Sequence, residues 1–280
     1  MTLDSSNPFA TRSTLEYELP PFELIRDEHY LPAFYAGCEE QLAAVDSIIV
    51  SGEPTFENTL VALEVSAQLL MRVLNVFYNK SSSDTSDAIL NIEEELAPKL
   101  AAHNDAIKLN PALFGRIKTL YDSRASLGLN EEDANLLEKY YTDFIHDGAH
   151  LSEVAREELK VLNEKLSKLS TQFDKNVLAD SNDLAVIIDD VKELDGLSEN
   201  EIAACAAAAK DRGVDGKYLI GAVNFSGNPL LASLKNRELR KQIMENSLMK
   251  ANLYKNCYHI TNELGDSLCN LRYIRSIGRI

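Results

Sequence analysis

Residues 152–173, SEVAREELKVLNEKLSKLSTQF, give the clearest indication of the fold. Apolar residues recur along this segment at alternating spacings of three and four, at Leu159, Leu162, Leu166, Leu169 and Phe173. This spacing places them on one face of an α-helix, while the Glu, Lys and Asn residues between them face water. We therefore expect a long helix that begins at Ser152 and forms one arm of a helical hairpin.

Helical periodicity also extends through the preceding sequence, so the fold is predicted to be mainly α. Apolar residues from Leu31 to Val45 recur at spacings of three and four until Ser51, Gly52 and Pro54 end the pattern. In PTFENT at residues 54–59, Thr55 is suited to cap the next helix. Predicted helices then cover residues 54–79, 88–110, 111–127 and 130–145.

A small strand-helix-strand element is predicted after residue 180. The β-branched runs LAVII at 184–188 and KYLIGAV at 217–223 favour strands. Between them, Ser198 and Glu201 have the spacing of a capping box that opens an alanine-rich helix, and Gly213 ends it. Helices are expected again from Pro229 to about Lys250 and from about Tyr258 to the end.

These elements suggest four parts. Residues 1–28 are an extended N-terminal arm, since three prolines exclude a long helix, and the arm is expected to dock at Phe22 and Ile25. Residues 29–180 form a helical domain and residues 181–228 the small α/β element. Residues 229–280 are a helical segment that leads to a missing catalytic half.

Composition limits the possible partners and locations. The 280 residues carry a net charge of −16 with a pI near 4.8, which disfavours nucleic acid and anionic membranes as partners. The charge is uneven, because residues 235–280 hold nine of the 28 Lys and Arg but four of the 44 Asp and Glu. The first residues do not resemble a secretory leader, and the four cysteines form no CxxC pair. A cytoplasmic protein with reduced cysteines is predicted.

The local candidate for a metal site is HDGAH at residues 146–150. Two His residues at i and i+4 on a helix can chelate zinc, as in HExxH. Here Asp147 is one methylene shorter than the Glu that acts as general base, and Gly148 weakens a helix. Because the pentapeptide also lies between two apolar patterns, we interpret it as a turn.

The remaining polar residues give no catalytic constellation. His29, His103 and His259 are interpreted as solvated or packed, and the acidic triplets at 93–95 and 131–133 as solvated helix faces. The sequence contains no GxSxG elbow, no phosphate loop and no dinucleotide-binding turn. These residues alone favour a helical interaction domain over an enzyme.

Several segments together resemble the thimet-oligopeptidase-like zinc metallopeptidases, and within them most of all the bacterial peptidyl-dipeptidases, also called dipeptidyl carboxypeptidases. They are NPF at 7–9, PTFENT at 54–59, EELAP at 94–98, NPALF at 110–114, LNEKL at 162–166 with Phe173, NVL at 176–178 and DGKYLI at 215–220. The resemblance covers almost the whole chain. It implies a mainly α-helical, N-terminal half of a channel-type metallopeptidase, forming one wall of the channel through which short peptides reach the catalytic centre.

The family's zinc is held by an HExxH helix and a further Glu, and no HExxH occurs here. No catalytic, cofactor-binding or metal residue is therefore assigned, no zinc is expected on this chain, and the chain alone is predicted to be inactive. The resemblance implies two partners: a short peptide substrate and a C-terminal catalytic half. The alternative is a stand-alone helical protein- or peptide-binding module, so whether this chain is part of an enzyme stays open.

Overall fold

A computed structural model of the chain describes residues 3–222 and 227–249. They divide into two compact units, residues 3–171 and the described residues from Gln172 onward. The first unit contains α1 (Tyr30–Ile49), α2 (Ala62–Glu64), α3 (Gln68–Ser83), α4 (Asp87–Lys108), α5 (Pro111–Asp122), α6 (Glu131–Asp147) and the start of α7 (Glu153–Asp183). The second continues with β1 (Val186–Ile188), α8 (Glu199–Asp211), β2 (Tyr218–Ile220) and α9 (Arg237–Leu248). The mainly α prediction is confirmed, and the four-part division stays a prediction.

Helices α1 and α3 pack closely in the first unit. A Cβ atom at Gly37 would lie 2.8 Å from the Cα and backbone nitrogen of Leu70, so this crossing has room only for glycine. Beside it, Tyr30, Phe34 and Phe77 are buried in one apolar core. The rings of Tyr30 and Phe77 meet edge to face at 5.3 Å between centroids, a favourable aromatic geometry.

A second core of the same unit lies under α5 and α6. It contains fully buried Leu113, Ile117 and Leu137 together with Phe144. Leu113 and Ile117 are four residues apart and Leu137 and Phe144 are seven apart, so each pair lies on one face of its amphipathic helix. This core fixes the position of α6, which carries the first two residues of HDGAH and part of the cleft described below.

The helical stretch Glu57–Ser83 is longer than predicted and irregular. It begins with a π-helical turn at Glu57–Val61 and contains a 3₁₀ turn at Val65–Ala67 before α3. The sequence placed its end at Asn79, whereas α3 continues to Ser83. The polar residues extend the helix because the hydroxyls of Ser82 and Ser83 donate to the carbonyls of Tyr78 and Asn79.

This same stretch is the one described helix that is long and apolar enough to cross a membrane. Half of its most apolar window is buried inside the protein. Leu70, Val73 and Phe77 of α3 belong to the first core, so packing within the protein explains the apolar composition.

The N-terminal arm docks earlier than predicted. Phe22 is 53% exposed, so its predicted docking was wrong, whereas Ile25 is 8% exposed and its docking is confirmed. Phe9 is buried against Tyr30, with 5.7 Å between ring centroids. Asn7 donates to the carbonyl of His29 at 3.0 Å. The arm is anchored here because Phe9 packs against Tyr30.

Two other predicted helices end or begin at different residues. The helix from Pro111 ends at Asp122 rather than 127, and a 3₁₀ turn follows at Arg124–Ser126. The helix predicted from Pro229 is divided into a 3₁₀ turn, Pro229–Ala232, and α9. Asn236 caps the start of α9, because its side chain accepts from the backbone amides of Glu238 and Leu239. This cap separates α9 from the preceding 3₁₀ turn. The helix predicted from Tyr258 lies outside the described residues.

The predicted strand-helix-strand element is confirmed in the second unit. β1 and β2 pair antiparallel, with Val186 opposite Ile220. Between the strands, the predicted capping box of α8 is present, since Ser198 and Glu201 bond reciprocally. Gly196 has φ +102°, and a Cβ atom there would lie 2.1 Å from a backbone carbonyl oxygen. Only glycine fits this approach of the two segments.

Candidate functional site

The PTFENT segment at residues 54–59 forms a hydrogen-bonded helix start. The amide of Asn58 donates to Thr55 Oγ1 at 3.1 Å, and the amide of Thr55 donates to Asn58 Oδ1 at 2.8 Å. The prediction that Thr55 caps this helix is therefore confirmed. Asn58 also donates through Nδ2 to the carbonyl of Glu53 at 2.9 Å. The polar side chains of the motif thus bond to its own backbone.

Arg116 of α5 fastens this helix start to the rest of the first unit. Its side chain is buried, at 7% exposure, and donates to Ser51 Oγ, the carbonyl of Gly52, Asn58 Oδ1 and Thr59 Oγ1 at 2.6 to 3.3 Å. These four acceptors are all uncharged. We call this arrangement the Arg116 clamp. It uses the polar groups of PTFENT for architecture, which indicates that the motif positions helices.

The structure separates the two His residues of HDGAH. Helix α6 ends at Asp147, and Gly148 follows with φ +101° in the left-handed conformation. His146 therefore lies in the last helical turn and His150 in the turn beyond it. The interpretation of this pentapeptide as a turn is confirmed for residues 148–150 and wrong for His146 and Asp147, which belong to α6. Gly148 breaks the regular i to i+4 spacing that two ligands on one helix require.

The described residues do not fit a zinc ion. Across residues 3–222 and 227–249, no group of three or more His, Cys, Asp or Glu side chains is placed to hold a metal. Zinc in proteins takes three or four such donors. We therefore derive no chemical step through zinc for this part of the chain.

The other described histidines have structural partners. His29 Nδ1 accepts from the amide of Arg26 at 2.9 Å and so caps a helical turn. His103 is buried, with Nε2 at 2.7 Å from Gln41 Oε1. Burial lowers the pKa of His103, so the ring is neutral near pH 7. His259 lies outside the described residues.

In the acidic triplet at 93–95, two carboxylates bond to side chains of different helices. Glu95 accepts from the hydroxyl of Tyr35 at 2.7 Å, whereas Glu93 accepts from Ser81 Oγ at 2.7 Å. The bond to Glu95 raises the pKa of Tyr35 to about 12. Neighbouring carboxylates on a helix thus point to different partners, which leaves no paired acid and base in this triplet.

A cleft with both apolar and charged lining lies between α2, α3, α4 and α6. Its volume is about 370 Å³, within the range of small-molecule pockets. Leu63, Ile107 and Phe144 are buried and form an apolar floor. Glu64 and Tyr140 also line the cleft, and the Tyr140 hydroxyl donates to Glu64 Oε1. Burial and this bond raise the pKa of Tyr140, so the tyrosine stays neutral.

Two lysines also line the cleft, and each has an acidic partner. Lys139 Nζ bonds to Asp143 one helical turn away. Lys108 Nζ lies 3.4 Å from Asp147 and 5.0 Å from the centroid of the Phe144 ring. Each ammonium group therefore has an ion-pair partner, and the charge of Lys139 also acts on Glu64.

Comparison with known proteins decides the family. The chain is 36% identical over 242 residues to a dipeptidyl carboxypeptidase of Escherichia coli, and 35% identical over 269 residues to one of Salmonella typhimurium. These matches cover 86% and 96% of the chain. The chain belongs to the thimet-oligopeptidase-like peptidase family. An oligopeptidase A of Salmonella typhimurium is 26% identical over 239 residues, which is 85% of the chain. No family model matches the chain.

This peptidase-family chain spans a little over a third of the length of its relatives: 36% and 39% of the two dipeptidyl carboxypeptidases and 34% of the oligopeptidase A. The ordered segments from NPF at 7–9 to DGKYLI at 215–220 together indicated the family, whereas the Arg116 clamp and the cleft were not predicted. The sequence does contain one indication that Arg116 is buried: it lies between the apolar residues Phe114 and Ile117 of α5. Nothing local marks Glu64 or Tyr140.

Proposed function

We propose that the chain forms the N-terminal, non-catalytic portion of a zinc-dependent peptidyl-dipeptidase or oligopeptidase that hydrolyses short peptides. The observation that carries this proposal is the identity of 35–36% to two dipeptidyl carboxypeptidases over 86–96% of the chain. In this proposal a C-terminal catalytic portion supplies zinc and the groups that activate water. The chain itself binds no zinc, cleaves no peptide alone, and works in the cytoplasm.

We further propose that the chain lines the substrate channel and restricts it to short peptides. Helices that are fixed by buried cores, such as α1 against α3, provide a rigid wall. The Arg116 clamp adds to this rigidity by fixing the start of the irregular stretch. The net charge of −16 is consistent with a peptide substrate and with the absence of nucleic-acid and membrane partners.

A chimera tests the proposal. The 242 residues of the Escherichia coli dipeptidyl carboxypeptidase that match this chain would be replaced by the chain's own residues. We expect this chimera to release the C-terminal dipeptide from an N-acetylated tetrapeptide, measured by mass spectrometry. The catalytic portion without any N-terminal portion is the control, and it should release less. A soluble, cooperatively folding chimera that releases no dipeptide would contradict the proposal.

Mixing the purified chain with the separately produced catalytic portion provides a second test. A complex with restored dipeptide release supports the channel wall. The alternative, a stand-alone binding module, predicts that the chain alone is monodisperse and never associates with the catalytic portion. Size-exclusion chromatography with light scattering distinguishes these results.

A further inference from the structure

The helical stretch on one side of the cleft is irregular at the cleft itself. A π-helical turn, Glu57–Val61, precedes α2, and a 3₁₀ turn, Val65–Ala67, follows it. π-helical turns occur often at functional sites, and a 3₁₀ turn inside a helix often marks a hinge or strain. Leu63 and Glu64, which lie between the two turns, both line the cleft. Leu63 is buried in its floor, whereas Glu64 stays exposed at its rim.

Glu64 presents a carboxylate that forms no salt bridge with a described residue, although it lies close enough to Lys139 to help raise the pKa of that lysine. The hydrogen bond to Glu64 comes from the neutral hydroxyl of Tyr140. In the described part of the chain, no Lys, Arg or His lies within ion-pair distance of Glu64, and Lys139 and Lys108 pair with Asp143 and Asp147. Glu64 thus accepts one neutral hydrogen bond and forms no salt bridge, so its carboxylate keeps acceptor capacity for a charged donor next to the apolar lining.

We propose that this cleft binds a primary ammonium group carried on an apolar body. The ammonium lies at Glu64, and the apolar body lies against Met71 and Leu136, which keep accessible apolar surface in the cleft lining. A charge-assisted hydrogen bond supplies direction, and burial of the apolar body supplies the remaining affinity. Two sources have this chemistry: a free amine, and the N-terminal residue of a peptide. The inference does not depend on the proposed function, since it concerns binding by this chain alone.

Three probes of one shape test the charge requirement on the full 280-residue chain. They are phenethylamine, which is cationic, 2-phenylethanol, which is neutral, and 3-phenylpropionate, which is anionic. We expect saturable binding of phenethylamine in calorimetric titration, with chemical-shift changes at cleft residues such as Ala67 and Met71. The neutral and anionic probes should bind at least about tenfold more weakly, because charge-assisted hydrogen bonds contribute more than neutral ones.

Matched variants test the position. Glu64→Gln keeps an acceptor for Tyr140 but removes the charge, and it should weaken phenethylamine binding about tenfold. Glu138→Gln is the control, because it makes the same change of net charge at an exposed position of α6 that does not line the cleft. It should bind like the unmodified chain. Circular dichroism checks that both variants are folded.

Peptides then distinguish the two sources. Phe-Ala-Ala-amide with a free N-terminus should compete with phenethylamine if the ligand is a peptide, and its N-acetylated form should not. Binding of phenethylamine without binding of the free peptide assigns the cleft to small amines. The inference is overturned if phenethylamine shows no saturable binding up to about 10 mM, or if 2-phenylethanol binds equally well. Equal effects of the Glu64 and Glu138 substitutions would also overturn it.

Discussion

Replacing Arg116 by leucine is expected to destabilise the first unit by about 3 kcal/mol. The substitution removes four hydrogen bonds that the buried guanidinium donates to Ser51, Gly52, Asn58 and Thr59. Thr59 is fully buried, and its hydroxyl would keep the bond it donates to Asn58 Oδ1 but lose its donor, at a cost of about 1–2 kcal/mol. The other three acceptors are partly or fully exposed, so water replaces the lost bonds at a net cost of about 0.5 kcal/mol each.

Urea unfolding followed by circular dichroism measures this loss, and calorimetry should show a midpoint lower by roughly 6–12 °C. Arg116→Lys should recover only part of the stability, because an ammonium lacks the planar fork that reaches several acceptors. Arg124→Leu is the control, since Arg124 is exposed on the Tyr121 ring and its loss should cost less than about 1 kcal/mol. A loss at Arg116 below about 1 kcal/mol, or equal losses at the two arginines, would refute the clamp.

Three further substitutions follow from close packing and burial. Gly37→Ala should cost about 1–3 kcal/mol in urea unfolding, because its Cβ would meet the backbone of Leu70 at 2.8 Å; an unchanged midpoint would contradict this. Gly196→Ala should unfold the second unit first under limited proteolysis, since its Cβ would lie 2.1 Å from the Ser233 carbonyl; equal protection of both units would count against it. Burial lowers the pKa of His103, so the unfolded chain takes up this proton first and stability falls as pH drops below about 6.5. His103→Gln should reduce that loss, and identical pH profiles would disprove the assignment.

The sequence predicted most of the helices because their signals are local. Spacings of three and four, and caps such as Ser198 with Glu201, act between residues that are one turn apart. Such signals specify where a helix exists but tolerate errors at its ends. The extension of α3 to Ser83 and the separate start of α9 at Arg237 are errors of this kind. The residues that decide these ends are Ser82 and Ser83 in α3 and Asn236 before α9. Serine and asparagine are also common in loops, but here their side chains bond to helical backbone groups.

The docking of the N-terminal arm could not be predicted in the same way. Phe9 and Phe22 are both aromatic residues next to prolines, and nothing local distinguishes them. Only packing against Tyr30 decides that Phe9 is buried and Phe22 is exposed. The residue type predicts only that a phenylalanine tends to be buried. Which phenylalanine is buried depends on which one finds an apolar partner in the folded chain.

By itself, the sequence determined the helical class, the strand-helix-strand element and the family. Periodicity, caps and motifs each depend on residues that are close together in the sequence. The tertiary structure alone decided the Arg116 clamp and the cleft at Glu64. The clamp joins residues 57 to 65 positions apart, and the bond from Tyr140 to Glu64 joins residues 76 positions apart. Contacts at such separations form only when several helices pack together, so no local pattern in the sequence specifies them.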